Sequence, residues 1–190
     1  MPQSPRIPPV WVLGWGNLPL AVNGSVGIIA VPDLLASAHV PESQIAAVTS
    51  LYLAAAFISI PLAPLLDWRF SRRTYAIFFA VVSTLCNFAA LLAIPHVVVL
   101  AGLLFLSGVS VAMCVNAMGG WFGDLVPAEE KDSLGAWLSV VNFGAGGAVA
   151  ALIVYLVRTL PYPFGEAAIS ALILLVLPLF LVTPCPPADR

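Results

Sequence analysis

The stretch Leu65-Leu-Asp-Trp-Arg-Phe-Ser-Arg-Arg-Thr-Tyr75 decides the reading of this chain. It gathers Asp67, Arg69, Arg72 and Arg73, and so holds three of the seven Lys and Arg residues in the sequence. On both sides lie long apolar runs. One extends uncharged from Glu42 to Asp67; the other, from Thr74 to Gly123, contains no Asp, Glu, Lys or Arg. Charge concentrated between two such runs marks a loop at a membrane surface.

The whole composition agrees. The chain is 61% hydrophobic and 8% charged, with mean hydropathy +1.04, whereas a soluble domain carries about 25% charged residues. So little charge does not cover a water-facing surface, and an integral membrane protein follows. The net charge of −2 supplies no basic field for nucleic acid. Cys86, Cys114 and Cys185 form neither a CxxC pair nor a metal-binding spacing. The first apolar run is too long for a signal-peptide core and has no small-residue cleavage site behind it.

A crossing helix needs about 20 apolar residues, and the charges divide the chain accordingly. The reading is an all-α, polytopic membrane protein, one domain over 1–190, with six spans near 9–31, 43–66, 74–94, 97–121, 133–157 and 167–183. Pro95-His96 supplies the turn between the third and fourth. With an even number of spans, both termini share one side. That side collects Arg6, Arg69, Arg72, Arg73, Lys131 and Arg190, against Arg158 opposite. Cations favour the cytoplasmic face, so both termini are expected there.

Helices associate in lipid through small residues and interhelical hydrogen bonds. Small and polar stripes run along span three (Ala76, Ala80, Ser83, Asn87, Ala90), span four (Gly108, Ala112, Asn116, Gly120) and span five (Gly135, Ser139, Asn142, Gly146, Ala150). In span one, Gly16, Asn23 and Gly27 share a face, and Asn17 points about 120° from Asn23. Span two presents Gln44, Tyr52 and Ser59. Span six is almost uniformly aliphatic, with Ser170 its polar exception, and reads as lipid-facing or supporting. Asn17, Asn23, Tyr52, Asn116 and Asn142 are the candidates for a solute path, set against a role as interhelical glue. The segment Gly14-Trp-Gly-Asn-Leu-Pro-Leu-Ala-Val-Asn-Gly-Ser-Val-Gly27 permits a bent or broken helix that opens backbone groups to a cavity. No ionisable residue falls at the middle of a span; Asp33, His39, His96 and Glu166 lie near the outer ends. Proton coupling through this chain alone is therefore not expected. Nor does any Ser/His/Asp, metal or paired-carboxylate constellation point to an enzyme or a cofactor.

The acidic-then-basic elbow between spans two and three resembles the signature of the major facilitator superfamily, roughly G-x-x-x-D-R-x-G-R-R. Asp67 matches its Asp, and Arg72-Arg73 its closing basic pair. Ala63 stands in place of Gly and Trp68 in place of Arg; the loop is one residue longer, and Arg69 stands in for the displaced Arg. The loop after span four, with Asp124, Pro127, Glu129, Glu130 and Lys131, is similar to that family's D-x-x-P-x-E-x-R/K passage. It lies closest to the muropeptide-permease and acetyl-coenzyme A transporter branch. That branch carries acids within helix four, where this chain has Asn116 and none.

The resemblance implies two inverted three-helix repeats, forming one half of a twelve-helix transporter of a small organic solute in a bacterial inner membrane. It implies alternating access against a second six-helix half: a second copy, a partner chain, or a continuation past the proline-rich Thr183–Arg190. Asp67, Arg69, Arg72, Arg73 and Asp124 would then form a conformational latch beside their role as topology anchor. A complete six-helix oligomeric channel, or a membrane scaffold, is the alternative reading.

Overall fold

The computed structural model describes residues 7–185, apart from the side chain of Arg158. Arg6, Arg190 and that side chain, used above to orient the chain, lie outside the described residues, as does the last part of the proline-rich end. Six helices are each long and apolar enough to cross a membrane: α1 Val10–Ser37, α2 Glu42–Asp67, α3 Arg72–Leu92, α4 Val97–Leu125, α5 Ala128–Val157 and α6 Phe164–Val182. No strand is present among the described residues.

Local chemistry sets their ends. Ser71 opens α3, its Oγ accepting the Thr74 N–H at 3.2 Å, the usual way to satisfy a free donor in a first turn. Pro61 and Pro64 remove donors late in α2, and the helix tightens to a 3₁₀ turn over Ala63–Asp67. Of the bent or broken alternatives expected for the first helix, the structure has no break. The helix runs continuously past residue 31, through Asp33 to Ser37, and takes up its Gly/Pro content in a 3₁₀ turn at Trp15–Asn17 and a π turn at Val26–Ala30. A charge at the end of an apolar run does not stop a helix whose backbone is already hydrogen-bonded. A matching π turn occupies Val141–Ala145 of α5.

The helices pack in exchanged pairs. α3 lies along α4, and α6 along α1; α2 packs on α4, and α5 on α1; α3 also touches α6. Swapping one with four, two with five and three with six maps these contacts onto each other. That is the pattern of two three-helix repeats of opposite orientation, each lending its second helix to the other's first.

Two aromatic and aliphatic clusters fill the ends of the bundle. At the basic end, Leu13, Trp121, Phe122 and Phe180 are fully buried, with ring centroids 5.1 to 6.3 Å apart. Trp121 Nε1 donates to Pro184 O at 2.9 Å there. At the opposite, far end, Leu35, Leu91, Leu100, Leu104, Ile153 and Ile169 close the interior. α1 is the most enclosed span, and α2 and α5 are the least.

Candidate functional site

The open faces of α2 and α5 flank a groove of about 390 Å³ whose walls come from α1, α2, α4 and α5. Its floor is low because the residues there are small: Ala21 and Gly24 of α1, Gly108 and Ala112 of α4, Gly146 and Gly147 of α5. Tyr52 and Phe143 supply aromatic rings, and Asn142 supplies an amide. No lining residue carries a charge. Tyr52 is held rather than free. A Cβ added at Gly27 would stand 2.7 Å from its ring, and one at Gly108 3.3 Å from the ring's other edge. The ring thus lies between two glycines, one on each of the repeats' first helices. Ser25 Oγ ties α1 to α5 beside the groove, donating at 2.9 Å to Gly146 O.

The five path candidates do not converge. Tyr52 and Asn142 line the groove. Asn17 is buried at the basic half, its Nδ2 donating to Leu138 O of α5 at 2.9 Å. Asn23 is 1% exposed, and its Nδ2 donates to Ser107 Oγ at 2.6 Å and Ser83 Oγ at 3.0 Å, binding α1 to α3 and α4. Both amides therefore face the packed interior. Asn116 is exposed and lines a second depression of about 400 Å³ with Ile60, Ala63, Pro64, Leu66, Asp67 and Arg72, toward the basic end.

The elbow forms a three-residue bridge. Arg72 donates from Nη2 and Nε to Asp67 Oδ1 at 3.0 and 3.3 Å, and its Nη1 lies 3.7 Å from Asp124 Oδ2. One guanidinium thus joins the α2–α3 loop to the end of α4. It lies across Gly120, where any Cβ would overlap it. Arg73 turns elsewhere, donating to Leu181 O at 2.7 Å in the last turn of α6, where a cation meets the negative end of the helix dipole. Arg69 stands 5.8 Å from the Phe70 ring centroid and is exposed. Of the three arginines, Arg72 alone makes the bridge.

The family model of the Major Facilitator Superfamily matches residues 13–190. The chain belongs to that superfamily. No curated protein and no solved structure matches it. Membership makes this an integral membrane protein and a membrane transporter. In this superfamily member, sequence reasoning passed over Gly24, Ser25, Phe143 and Gly147 as groove residues. Their signal was present: Gly24-Ser25 follows Asn23 directly, and Gly146-Gly147 follows the α5 π turn. Glu166, read as an outer-end residue, lies in the first turn of α6 toward the far end and is 8% exposed there, a burial the sequence reading did not include.

Proposed function

We propose that this chain is one half of a secondary transporter that moves a small organic solute by alternating access. The groove between α1, α2, α4 and α5 is its share of the path. The observation that carries this reading is the groove's position. It opens between the two least enclosed helices, whose outward residues Phe57, Ile60, Val140 and Phe143 are apolar and exposed. A second six-helix half, from another copy, a partner chain or a continuing chain, would complete the cavity over these faces. The basic end faces the cytoplasm of a bacterium, with both termini there, because Arg69, Arg72, Arg73 and Lys131 collect at that end. There the Asp67–Arg72–Asp124 bridge serves as a latch that closes the cytoplasmic side and parts when the halves rock.

The uncharged lining suits an apolar or amide-bearing portion of a solute. The Asp124–Lys131 loop keeps the pattern of the muropeptide-permease and acetyl-coenzyme A branch. A polyanionic cargo of that branch would take its cationic contacts from the second half.

Impermeant maleimide labelling in oriented vesicles tests the reading, using Gly24→Cys and Asn116→Cys in a background lacking the native cysteines. Alternating access predicts that Gly24→Cys labels from the far side and Asn116→Cys from the basic side in inverse proportion. Asp67→Asn should shift the balance between them. Simultaneous labelling of both, insensitive to Asp67→Asn, would mean an open channel and defeat the proposal.

A further inference from the structure

Behind the groove, the contact between the two repeats contains more buried polar atoms than it pairs. Asn23 spends both amide hydrogens on Ser83 and Ser107, and its Oδ1 is buried without a hydrogen-bond partner. The serine hydroxyls have acceptors of their own: Ser107 Oγ reaches Ser83 O at 3.1 Å, Ser83 Oγ reaches Ser107 O at 3.4 Å, and the two Oγ atoms lie 3.2 Å apart. With those acceptors at hand, the serine oxygens accept from the Asn23 amide nitrogen, and its carbonyl oxygen points away.

One turn beyond Ser83, on the same face of α3, Asn87 has no exposed surface, and neither its Nδ2 nor its Oδ1 has a partner. Across the α3–α6 contact, Glu166 Oε2 is likewise buried and unpartnered. α3 and α6 run antiparallel and meet at Arg73 and Leu181. Counted from that contact, Asn87 and Glu166 lie about equally far along their helices, roughly 20 Å at 1.5 Å per residue. Asn23 thus lies toward mid-bundle beside Ser83 and Ser107, and Asn87 and Glu166 lie level with each other nearer the far end, apart from the groove lining.

We propose that this seam is an internal hydration site, a short file of bound water joining Glu166, Asn87 and Asn23. Buried amides and carboxylates are held by partners in folded proteins, and internal water takes that part where protein atoms do not. The chemistry selects water over a metal cation. Asn87 has both a donor and an acceptor to satisfy, and one cation meets only the acceptor. The spacing also fits. Successive polar positions on α3 are about 6 Å apart, which is the span of two hydrogen bonds through one water. Water at the seam would add to the direct Asn23–Ser107 and Ser83–Ser107 contacts between the repeats and keep the polar groups of the α3–α6 interface satisfied.

X-ray radiolytic labelling in ¹⁸O water, on the full chain in lipid nanodiscs, tests the proposal. Leu91 and Ile169, 1% and 0% exposed, follow Asn87 and Glu166 by about one turn and should take up label. Trp121 and Phe122, equally buried at the other end, should stay at background despite their more reactive rings. Asn87→Val should abolish the Leu91 and Ile169 signal. Asn87→Thr, of the same shape but polar, should keep it and serves if the valine variant does not fold. Background labelling at Leu91 and Ile169 in the unsubstituted chain would overturn the proposal. So would a melting temperature that rises with Na⁺ over choline, since that would assign the seam to a cation.

Discussion

Gly27→Ala probes the tightest junction around the groove. The added methyl would stand 2.7, 2.7 and 2.8 Å from Cδ1, Cε1 and Cζ of Tyr52, well inside van der Waals contact. The ring has little room to retreat, because Gly108 backs its opposite edge and Ala55 fills the space beside it. Forcing one methyl into such a site costs about 1–3 kcal/mol. For a chain of this length each kcal/mol lowers Tm by about 2–4 °C, so a fall of about 2–12 °C is expected in detergent-solubilised thermal unfolding. Tyr52→Leu in the same chain removes the ring and should return most of that loss as a favourable coupling. Gly24→Ala, whose Cβ meets nothing within 4 Å, is the matched control and should leave Tm unchanged. A Gly27→Ala chain melting within about 1 °C of the unsubstituted one would refute the argument. So would a double variant whose loss equals the sum of the losses of Gly27→Ala and Tyr52→Leu measured singly.

Other perturbations separate path, latch and core. Gly24→Phe should fill the groove and reduce solute flux in proteoliposomes while Tm holds, because the position opens onto free space. Asp67→Asn should change flux or the labelling balance but hardly change unfolding, since exposed ion pairs are worth about 0–1 kcal/mol. Asp124→Asn should act more weakly, its contact with Arg72 being the longer of the two. Asn23→Leu removes two interhelical hydrogen bonds and should lower stability by about 1 kcal/mol, read by urea or thermal unfolding in detergent. If that chain still folds, its groove remains and transport should persist.

Helix number was legible because a bilayer imposes it. Runs such as 74–123 are too long for one crossing and too apolar for water, so length and charge position suffice. The elbow was legible for a similar reason: Asp67, Arg72 and Asp124 are scarce charges, and scarce charges in adjacent loops have few partners. The asparagines were not. Asn23 and Asn142 look alike in sequence, each on a small-residue stripe. Which one faces a groove and which faces a neighbour depends on rotations of α1 and α5 that the stripes leave open. Helix-wheel reasoning grouped Asn23 with Gly16 and Gly27 correctly, but that face packs inward against Tyr52, Met118 and the serines. Glu166 lies at the outer end, as its place in the chain implied, but its burial was not legible. It lies just after a turn, as a surface acid would, yet its helix begins already packed on α3 and α5.

The exchanged pairing of the helices also bears on how the chain is made. Asn17 bonds to Leu138, Asn23 to Ser107 and Ser25 to Gly146; in each case the first repeat supplies the donor and the second the acceptor. When synthesis has produced only α1 to α3, those side chains have not yet met these partners, and α1 lacks α5 and α6 to lie against. The first three helices therefore enter the membrane as an unfinished surface that lipid does not satisfy. Asn17, Asn23 and Ser25 gain these acceptors only once α4 and α5 are in place. A chain that ended after α3 would lack the partners of its own first helix.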